Sequence, residues 1–456
     1  MDNPSKVIDD LIRSNSDRWD ELKKFDDGLR NKLEPPYLPT DEASELAIEY
    51  NQLIDRSDLN VLPLVINALV DRLQVSGFRI DAESTESDDT VSDWWQKSKM
   101  DQRHKLVMRD AAGLQDGFLL TYPNGDVPAF SVLSPLQLAY ELDSNDPTLL
   151  EIAAKVDEAR GRAWLYTEDA ILEFKTQPDG LGNRWSFVKA TEHAAGVCPV
   201  TRFPNDLDSI GRSTSELANI LPIQGRMRQT VFDRLLLQRA QAWKQRWASG
   251  VKIEKDADGK PKKPFKTGAD TILVNDSPDA RFGEFQQADL GGLISALEDD
   301  IRAVALVSRT PPHYLPGSAI SNISAEALTA LEGALESRVQ ERRLTWGESF
   351  EHAIRVGGKM VGYEIPDSAE VIWANIELRS EAQRVDAATK LHSIGVPLKY
   401  LLERLGLTRP EIQRVMQDAE EQAQMQAKAQ AAAFGADGVI EGADANADAG
   451  SSEQAG

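Results

Sequence analysis

Five histidines, one cysteine and several carboxylate clusters are the residue types in this 456-residue chain best suited to chemistry. His104, His193, His313, His352 and His392 are scattered, and no two have the H-E-x-x-H spacing that turns a pair of imidazoles toward one metal on a helical face. Each is expected to be a packed or solvated side chain. Cys198 stands alone, so neither a disulfide framework nor a thiolate cluster can form within the chain, as expected of synthesis in a reducing compartment. A small buried apolar residue is its simplest reading. No G-x-x-x-x-G-K-S/T run offers a phosphate cradle, Gly180-Leu181-Gly182 is no dinucleotide fingerprint, and no serine sits in a G-x-S-x-G elbow. Glu86-Ser87-Asp88-Asp89 and Glu298-Asp299-Asp300 read as a linker and a solvated helix face. Carboxylates distant in sequence can still meet around a metal, as nuclease sites require, and that option stays open. No catalytic residue, cofactor or metal ligand is assigned.

Charge narrows the partners. Asp plus Glu outnumber Lys plus Arg by 74 to 51, a formal charge of -23, and such a surface repels DNA phosphates rather than coating them. Either the protein never meets nucleic acid, or it meets DNA that must pass without sticking. One basic cluster departs from this balance: Lys255, Lys260, Lys262, Lys263 and Lys266, interleaved with Glu254, Asp256 and Asp258 and accompanied by the single aromatic Phe265. A solvated loop and a binding surface fit it equally. Met1 to Asp10 lacks a basic segment followed by an apolar core, and Leu59 to Val70 is too short to span a bilayer, so a soluble, unexported chain is expected.

The elements that must position these residues follow from periodicity. Leu11, Trp19, Leu22, Phe25 and Leu29 predict an amphipathic helical arm that ends at Pro35-Pro36. Leu46 to Leu73 predicts a helical pair, stopped at Gly77. After an acidic linker, Asp81 to Asp93, a helix is expected from Trp94 to Leu114. Short apolar runs at Gly117–Tyr122, Val127–Leu133, Ala163–Tyr166 and Ile171–Phe174 then read as strands, with turns at Pro123-Asn124-Gly125-Asp126 and Pro178-Asp179-Gly180. This part reads as an α+β domain ending near Asn205. Ser213 and Glu216 have capping-box spacing ahead of a helix expected to reach about Trp247, kinked at Pro222. Val251 to Phe285 looks like a small β insertion with a strand at Thr271–Val274, and a helix through Leu290, Leu293, Leu297, Ile301 and Val304 follows. The chain breaks at Pro311-Pro312 and is expected to stay irregular to Asn322. A helix roughly 50 Å long should then run from Ser324 to Val356, where Gly357-Gly358 stops it. A strand-like Glu370–Ile376 and short helices at Glu381–Ser393, Pro397–Leu405 and from Glu411 complete the fold. From about Gln424 the Ala, Gly, Asp, Ser and Gln composition predicts disorder.

Three phrases stand out in this order: Leu62-Pro63-Leu64-Val65-Ile66-Asn67-Ala68-Leu69-Val70-Asp71-Arg72-Leu73 followed by Gly77-Phe78-Arg79; Ser321-Asn322-Ile323-Ser324-Ala325-Glu326-Ala327-Leu328; and Ser380-Glu381-Ala382-Gln383 leading to Gly395-Val396-Pro397. Together they give the chain, over about Leu46 to Met416, a sequence that resembles the portal proteins of tailed bacteriophages, in particular the siphophage portals of SPP1 type. The resemblance implies a mainly helical α+β portal fold of wing, stem, clip and crown, assembled as a dodecameric ring at one vertex of the capsid, with no enzymatic role. It assigns residues 1–212 to the arm and wing, 213–247 and 288–308 to two stem helices, and 248–287 to the clip. Residues 309–323 become the tunnel loop, 324–379 a long wing helix and strand, 380–420 the crown and 421–456 a disordered tail. Double-stranded DNA would be packaged and ejected through the channel, and the clip would meet the terminase large subunit and then a head-completion adaptor, with major capsid and scaffolding proteins as further partners and no membrane. Arg309, His313, Ser318, Ser321 and Asn322 are the resulting candidates for contact with DNA, and the five lysines those for clip contacts. The expected location is the virion, after synthesis in host cytoplasm. A carboxylate and metal-dependent DNA-processing enzyme, or a capsid scaffolding or adaptor protein, are the alternatives.

Overall fold

The computed structural model describes residues 3–37, 47–80, 87–177, 184–242, 246–250, 279–284, 289–317, 325–374, 381–405, 407 and 409–437. In chain order the elements are α1 (Pro4–Ser14), α2 (Ser16–Leu29), α3 (Ala47–Arg56), α4 (Leu62–Val70), β1 (Val75–Arg79), α5 (Asp89–Lys97), α6 (Met100–Gly113), β2 (Asp116–Asn124) and β3 (Val127–Leu133). They continue with β4 (Leu138–Leu142), β5 (Leu150–Asp157), β6 (Arg162–Tyr166), β7 (Ala170–Thr176), β8 (Trp185–Glu192), β9 (Val200–Pro204), α7 (Leu221–Ala242), β10 (Arg246–Ser249) and β11 (Arg281–Glu284). The remainder are α8 (Gly291–Val307), α9 (Ala325–Val361), β12 (Glu370–Trp373), α10 (Glu381–Ser393), α11 (Leu398–Leu405) and α12 (Arg409–Asp437). Two compact units result, one from Met1–Arg72 and Trp95–Glu364, the other from Leu73–Trp94 and Ile365–Gly456. This is an α+β protein in which helix predominates.

The first unit is built on two antiparallel sheets, one of five strands in the order β4-β5-β6-β7-β8 and one of three in the order β3-β2-β9. Strand alternation sorts their faces. Phe118, Leu133 and Val200 of the small sheet pack on Leu138, Leu150 and Ala153 of the large one, so the sheets form a sandwich. Ile152, Ala154 and Val156 point the other way and take Ile8 and Leu11 of α1, which makes the N-terminal arm the cover of the large sheet. The opposite face of the small sheet carries Gly117, Thr121 and Phe203, and receives two helices. Gly117 lets α6 approach so closely that a Cβ would lie 2.2 Å from the Val107 carbonyl oxygen. The Phe350 ring of α9 meets Phe203 edge-on with centroids 4.6 Å apart.

A buried ion pair holds the sandwich to the chain that leaves it. Arg202 Nε bonds Asp116 Oδ1 at 2.8 Å with both side chains almost wholly enclosed, and Ser213 donates to the same oxygen at 2.6 Å. Tyr140 donates to Asp116 Oδ2 at 2.9 Å, and burial raises its hydroxyl far above the ordinary phenolic range. Ser213 and Glu216 are therefore not a capping box. Their side chains are taken by tertiary partners, and α7 starts only at Leu221. Pro222 falls in its first turn, where no N–H is required, and produces no kink. α7 spans Leu221–Ala242, and Trp247, expected near its end, belongs to β10.

Other boundaries shift for identifiable reasons. The predicted Trp94–Leu114 helix is two helices, broken where Lys99 adopts φ +56°. α4 ends at Val70, and Gly77 lies inside β1, paired with Ile372 of β12. Gly357 and Gly358 do not stop α9, because Gly357 is packed on Pro128 and Thr121; the helix runs to Val361 and ends at Gly362, φ +71°. Four strands, β4, β5, β8 and β9, carry too little alternation to be read from sequence. In the second unit β1 and β12 form a two-stranded sheet, with Arg79 paired to Glu370. α12 continues to Asp437, beyond the point where disorder was expected, since Ala, Gln, Met and Lys are strong helix formers even without a wide apolar stripe. The expected strand at Thr271–Val274 lies outside the described residues.

Asp116→Ala should destabilise the first unit by about 3–5 kcal/mol, because it strands the Arg202 guanidinium in the interior. Urea denaturation compared with wild type measures this; a loss under about 1 kcal/mol would show that the pair does not tie the sandwich together.

Candidate functional site

The segment between α8 and α9 is a constructed turn over its first ten residues. α8 ends at Val307 with Ser308 as its cap. Arg309 N–H returns to the Leu306 carbonyl at 3.3 Å and Thr310 N–H to the Ala305 carbonyl at 3.1 Å, the paired bonds of a Schellman motif. The residue in the left-handed position of that motif is normally glycine. Here it is Arg309, φ +51°, with its side chain exposed. A non-glycine residue there costs roughly 1 kcal/mol of backbone strain. Pro312, His313 and Tyr314 then form a 3-10 turn, and Leu315 is buried.

Two clusters of side chains hold this turn. On one side, α9 presents Arg338, Arg342 and Trp346 at helical spacing. Arg338 donates to the Ser308 carbonyl, Arg342 bonds Glu216 at 3.0 Å and the Asn205 amide oxygen at 2.7 Å, and Trp346 Nε1 donates to the Pro204 carbonyl at 2.9 Å. Glu216 also lies 3.5 Å from Arg338. Desolvation, only partly offset by Glu216 and reinforced by Arg342 and Arg309, lowers the Arg338 pKa. On the other side, Arg72 bonds Tyr314 Oη at 2.8 Å and Glu332 at 2.5 Å, with Glu336 at 4.0 Å. Its burial favours the neutral form, but these bonds outweigh that and the guanidinium is held more firmly protonated than usual.

The DNA-contact candidates separate accordingly. Arg309 is exposed at the turn. His313 instead lies with Nε2 2.8 Å from Glu332, its side chain 17% exposed and its ring 4.5 Å from that of Tyr314. The signal for its partner was helical spacing alone, since Glu332 sits on the first described turns of α9. Ser318, Ser321 and Asn322 lie outside the described residues, as do Lys255, Lys260, Lys262, Lys263 and Lys266 of the basic segment. Flanking that segment, β10 and β11 pair antiparallel from Arg246↔Glu284 to Ser249↔Arg281 between α7 and α8, with β10 falling where the end of the helix was expected. α7 and α8 pack side by side, joined by Arg226 to Asp300 at 2.6 Å.

The remaining chemical candidates are packing residues. Cys198 is buried and its thiol is pushed up to about 12 by desolvation. His104 is buried, its Nδ1 2.7 Å from the Met100 carbonyl oxygen, and desolvation lowers its pKa. His352, on α9, is held down to about 4 by desolvation and by Arg355 and Lys359. Among the described residues no group of His, Cys, Asp and Glu side chains could hold a metal ion, and no helix is long and apolar enough to cross a membrane.

The family of phage portal proteins described as SPP1 Gp6-like matches residues 8–433. The chain belongs to this family. Its relatives include the portal protein of Mycobacterium phage L5, 27% identical over 361 residues that cover 73% of this chain and 72% of the relative, and that of Mycobacterium phage D29, 25% identical over 390 residues, 79% and 78% of the two. Among solved structures, a chain from the neck of an empty GTA particle is 16% identical, spans 82% of this chain and 95% of its own length, and has a TM-score of 0.43.

Two outcomes follow. Arg309→Gly relieves the strain at the end of α8 and should stabilise the fold by about 1 kcal/mol in thermal or urea unfolding; a destabilised variant would show that the arginine is needed structurally. For His352 the folded pKa is depressed below its ordinary value. Stability is therefore complete above about 6.5 and falls as pH drops toward about 4, where the unfolded chain takes up the proton first. His352→Gln should flatten the stability profile in that window.

Proposed function

We propose that copies of this chain form the ring-shaped channel through which DNA enters and leaves a phage capsid, with the α8–α9 turn facing the DNA path. The observation that supports this reading, in a chain of the portal family, is the α7–α8 pair leading out to the β10/β11 hairpin and back to Arg309. In that reading the sandwich with α6 and α9 is the wing, α7 and α8 the stem, the hairpin and its lysine segment the clip, and α10 to α12 the crown region. The subunits form a dodecamer at the portal vertex of the virion. The clip, with Lys255, Lys260, Lys262, Lys263 and Lys266, docks the terminase large subunit and later a head-completion adaptor, and the body meets major capsid and scaffolding proteins.

The physical mechanism is a weakly adhesive channel. A subunit of charge -23 repels phosphates, and repeated passage needs shallow contacts. Arg309 supplies one exposed cation per subunit at the turn, so a ring carries a circle of guanidiniums that can pair with successive phosphates. This also accounts for a strained arginine where glycine would be more stable. Ser318, Ser321 and Asn322 add neutral hydrogen-bonding groups to the same loop. His313, packed beside Glu332 and Tyr314, is set back from the DNA in this reading.

Negative-stain images of the purified full chain should show rings with a central hole. Arg309→Gly rings should assemble normally but package DNA less completely in an in vitro packaging reaction with the matching terminase. Particles without a hole would refute the channel, and wild-type packaging by the Arg309→Gly ring would remove Arg309 from the DNA path.

A further inference from the structure

We infer that α6 and α9 carry the two complementary halves of the contact between neighbouring copies of this chain, a reading that rests on the ring proposed above. Both helices lie on the outer face of the three-stranded sheet, and each turns one stripe to solvent. On α6 the stripe runs through Gln102, Leu106 and Arg109, with Lys105 and Lys99 beside it; Leu106 is 45% exposed. On α9 it runs through Glu341, Leu344 and Glu348; Leu344 is 76% exposed. The spacing is that of one helical face in each case, three or four residues per step.

The two stripes match in pattern and oppose in charge. Each sets an exposed leucine beside charged groups, the cations Lys105 and Arg109 on α6 and the anions Glu341 and Glu348 on α9. On α6, Lys105 and Arg109 share a single distant carboxylate, Asp71, at 4.0 and 3.8 Å, so the patch stays positive. The other acid of the helix's first turn, Asp101, is engaged by Trp95 and Gln96. On α9 the neighbouring cations are taken inward: Arg342 by Glu216 and Asn205, and Arg343 by the Arg72 carbonyl. The outward face is left acidic, with only Arg342 Nη1 within 3.7 Å of Glu341. Within the protomer none of Lys105, Arg109, Glu341 and Glu348 pairs with another of the four.

Charge also limits the pairing. A stripe meeting its own copy would oppose Glu to Glu or Lys to Arg, which is unfavourable. The α6 stripe fits the α9 stripe of another copy. Taken head to tail, as the ring proposed above requires, this contact repeats from copy to copy around a closing rotation.

The test reverses one stripe at a time in the full chain: Lys105→Glu with Arg109→Glu, and separately Glu341→Arg with Glu348→Arg. Light scattering after size exclusion reads assembly, and thermal melts confirm that each variant is folded. Each variant alone should lose ring by roughly tenfold or more, since all its contacts become like-charged. A 1:1 mixture of the two should recover mixed rings, because each reversed stripe then finds an opposite one. Leu344→Asp, a change at an exposed position, should weaken assembly independently. Rings of wild-type yield from either reversed variant, no recovery on mixing two folded variants, or an unaffected Leu344→Asp would each overturn the contact. If the wild-type chain itself forms no ring, the ring reading falls first and this contact with it.

Discussion

Glu216 is the point at which the first unit is knotted together. Its carboxylate sits between Arg338 and Arg342, one turn apart on α9, and all three side chains are largely withdrawn from water. Two guanidiniums facing one carboxylate leave a surplus positive charge in a poorly solvating interior, which is costly unless other acceptors share it. Those acceptors are the Ser308 carbonyl at the end of α8 and the Asn205 amide oxygen just past β9, and the more exposed Glu341 and Asp206 lie 3.7 and 4.0 Å from Arg342. Solving the charge problem therefore brings the sheet edge, the connector before α7, the end of α8 and the middle of α9 to one place. The register of a 37-residue helix is set by this requirement together with its buried Leu335, Val339, Trp346 and Phe350.

That anchoring fixes the start of the α8–α9 turn. The Schellman bonds position Arg309, Arg338 grips the carbonyl one residue earlier, and Arg72 ties Tyr314 to Glu332. The loop root is thus clamped to α9 from two directions, about two turns of that helix apart. A displacement of α9 along its axis would be felt at Ser308 and Tyr314 together. A rigid root makes the position of the Arg309 side chain a property of α8 and the long helix, rather than of a slack connector.

What could be read from the sequence alone was whatever is local. The arm, α8, the two hairpin strands β2 and β3, the packed cysteine and the break after α8 are written in spacing and turn residues. What could not be read is decided across long separations. Ser213 and Glu216 satisfy a local capping pattern, yet partners on Asp116 and Arg342 outcompete it. Gly357-Gly358 has the composition of a stop, but packing against Pro128 lets the helix continue. Strands such as β8, exposed along most of its length, lack the alternation that betrays a buried face. Of the candidate site, Arg309 was legible as a cation at a helix end, while its left-handed backbone and the inward turn of His313 toward Glu332 were not.

The distribution of arginines reconciles two opposed demands on such a chain, to repel a polyanion and to bind its own copies. Arg72, Arg202, Arg228, Arg338 and Arg342 are buried and consumed by interior carboxylates and carbonyls. The carboxylates that hold them are largely buried as well, so the net charge of -23 is carried mostly by the remaining side chains and repels phosphates on average. Many other cations stay exposed, Arg13, Arg160 and Arg212 among them, and two sets stand out by their surroundings. Those on α6 lie opposite in sign to a matching acidic stripe, whereas Arg309 sits in a backbone conformation that disfavours it. The first arrangement suits a permanent partner, and the second, in the channel proposed above, a contact that is made and broken.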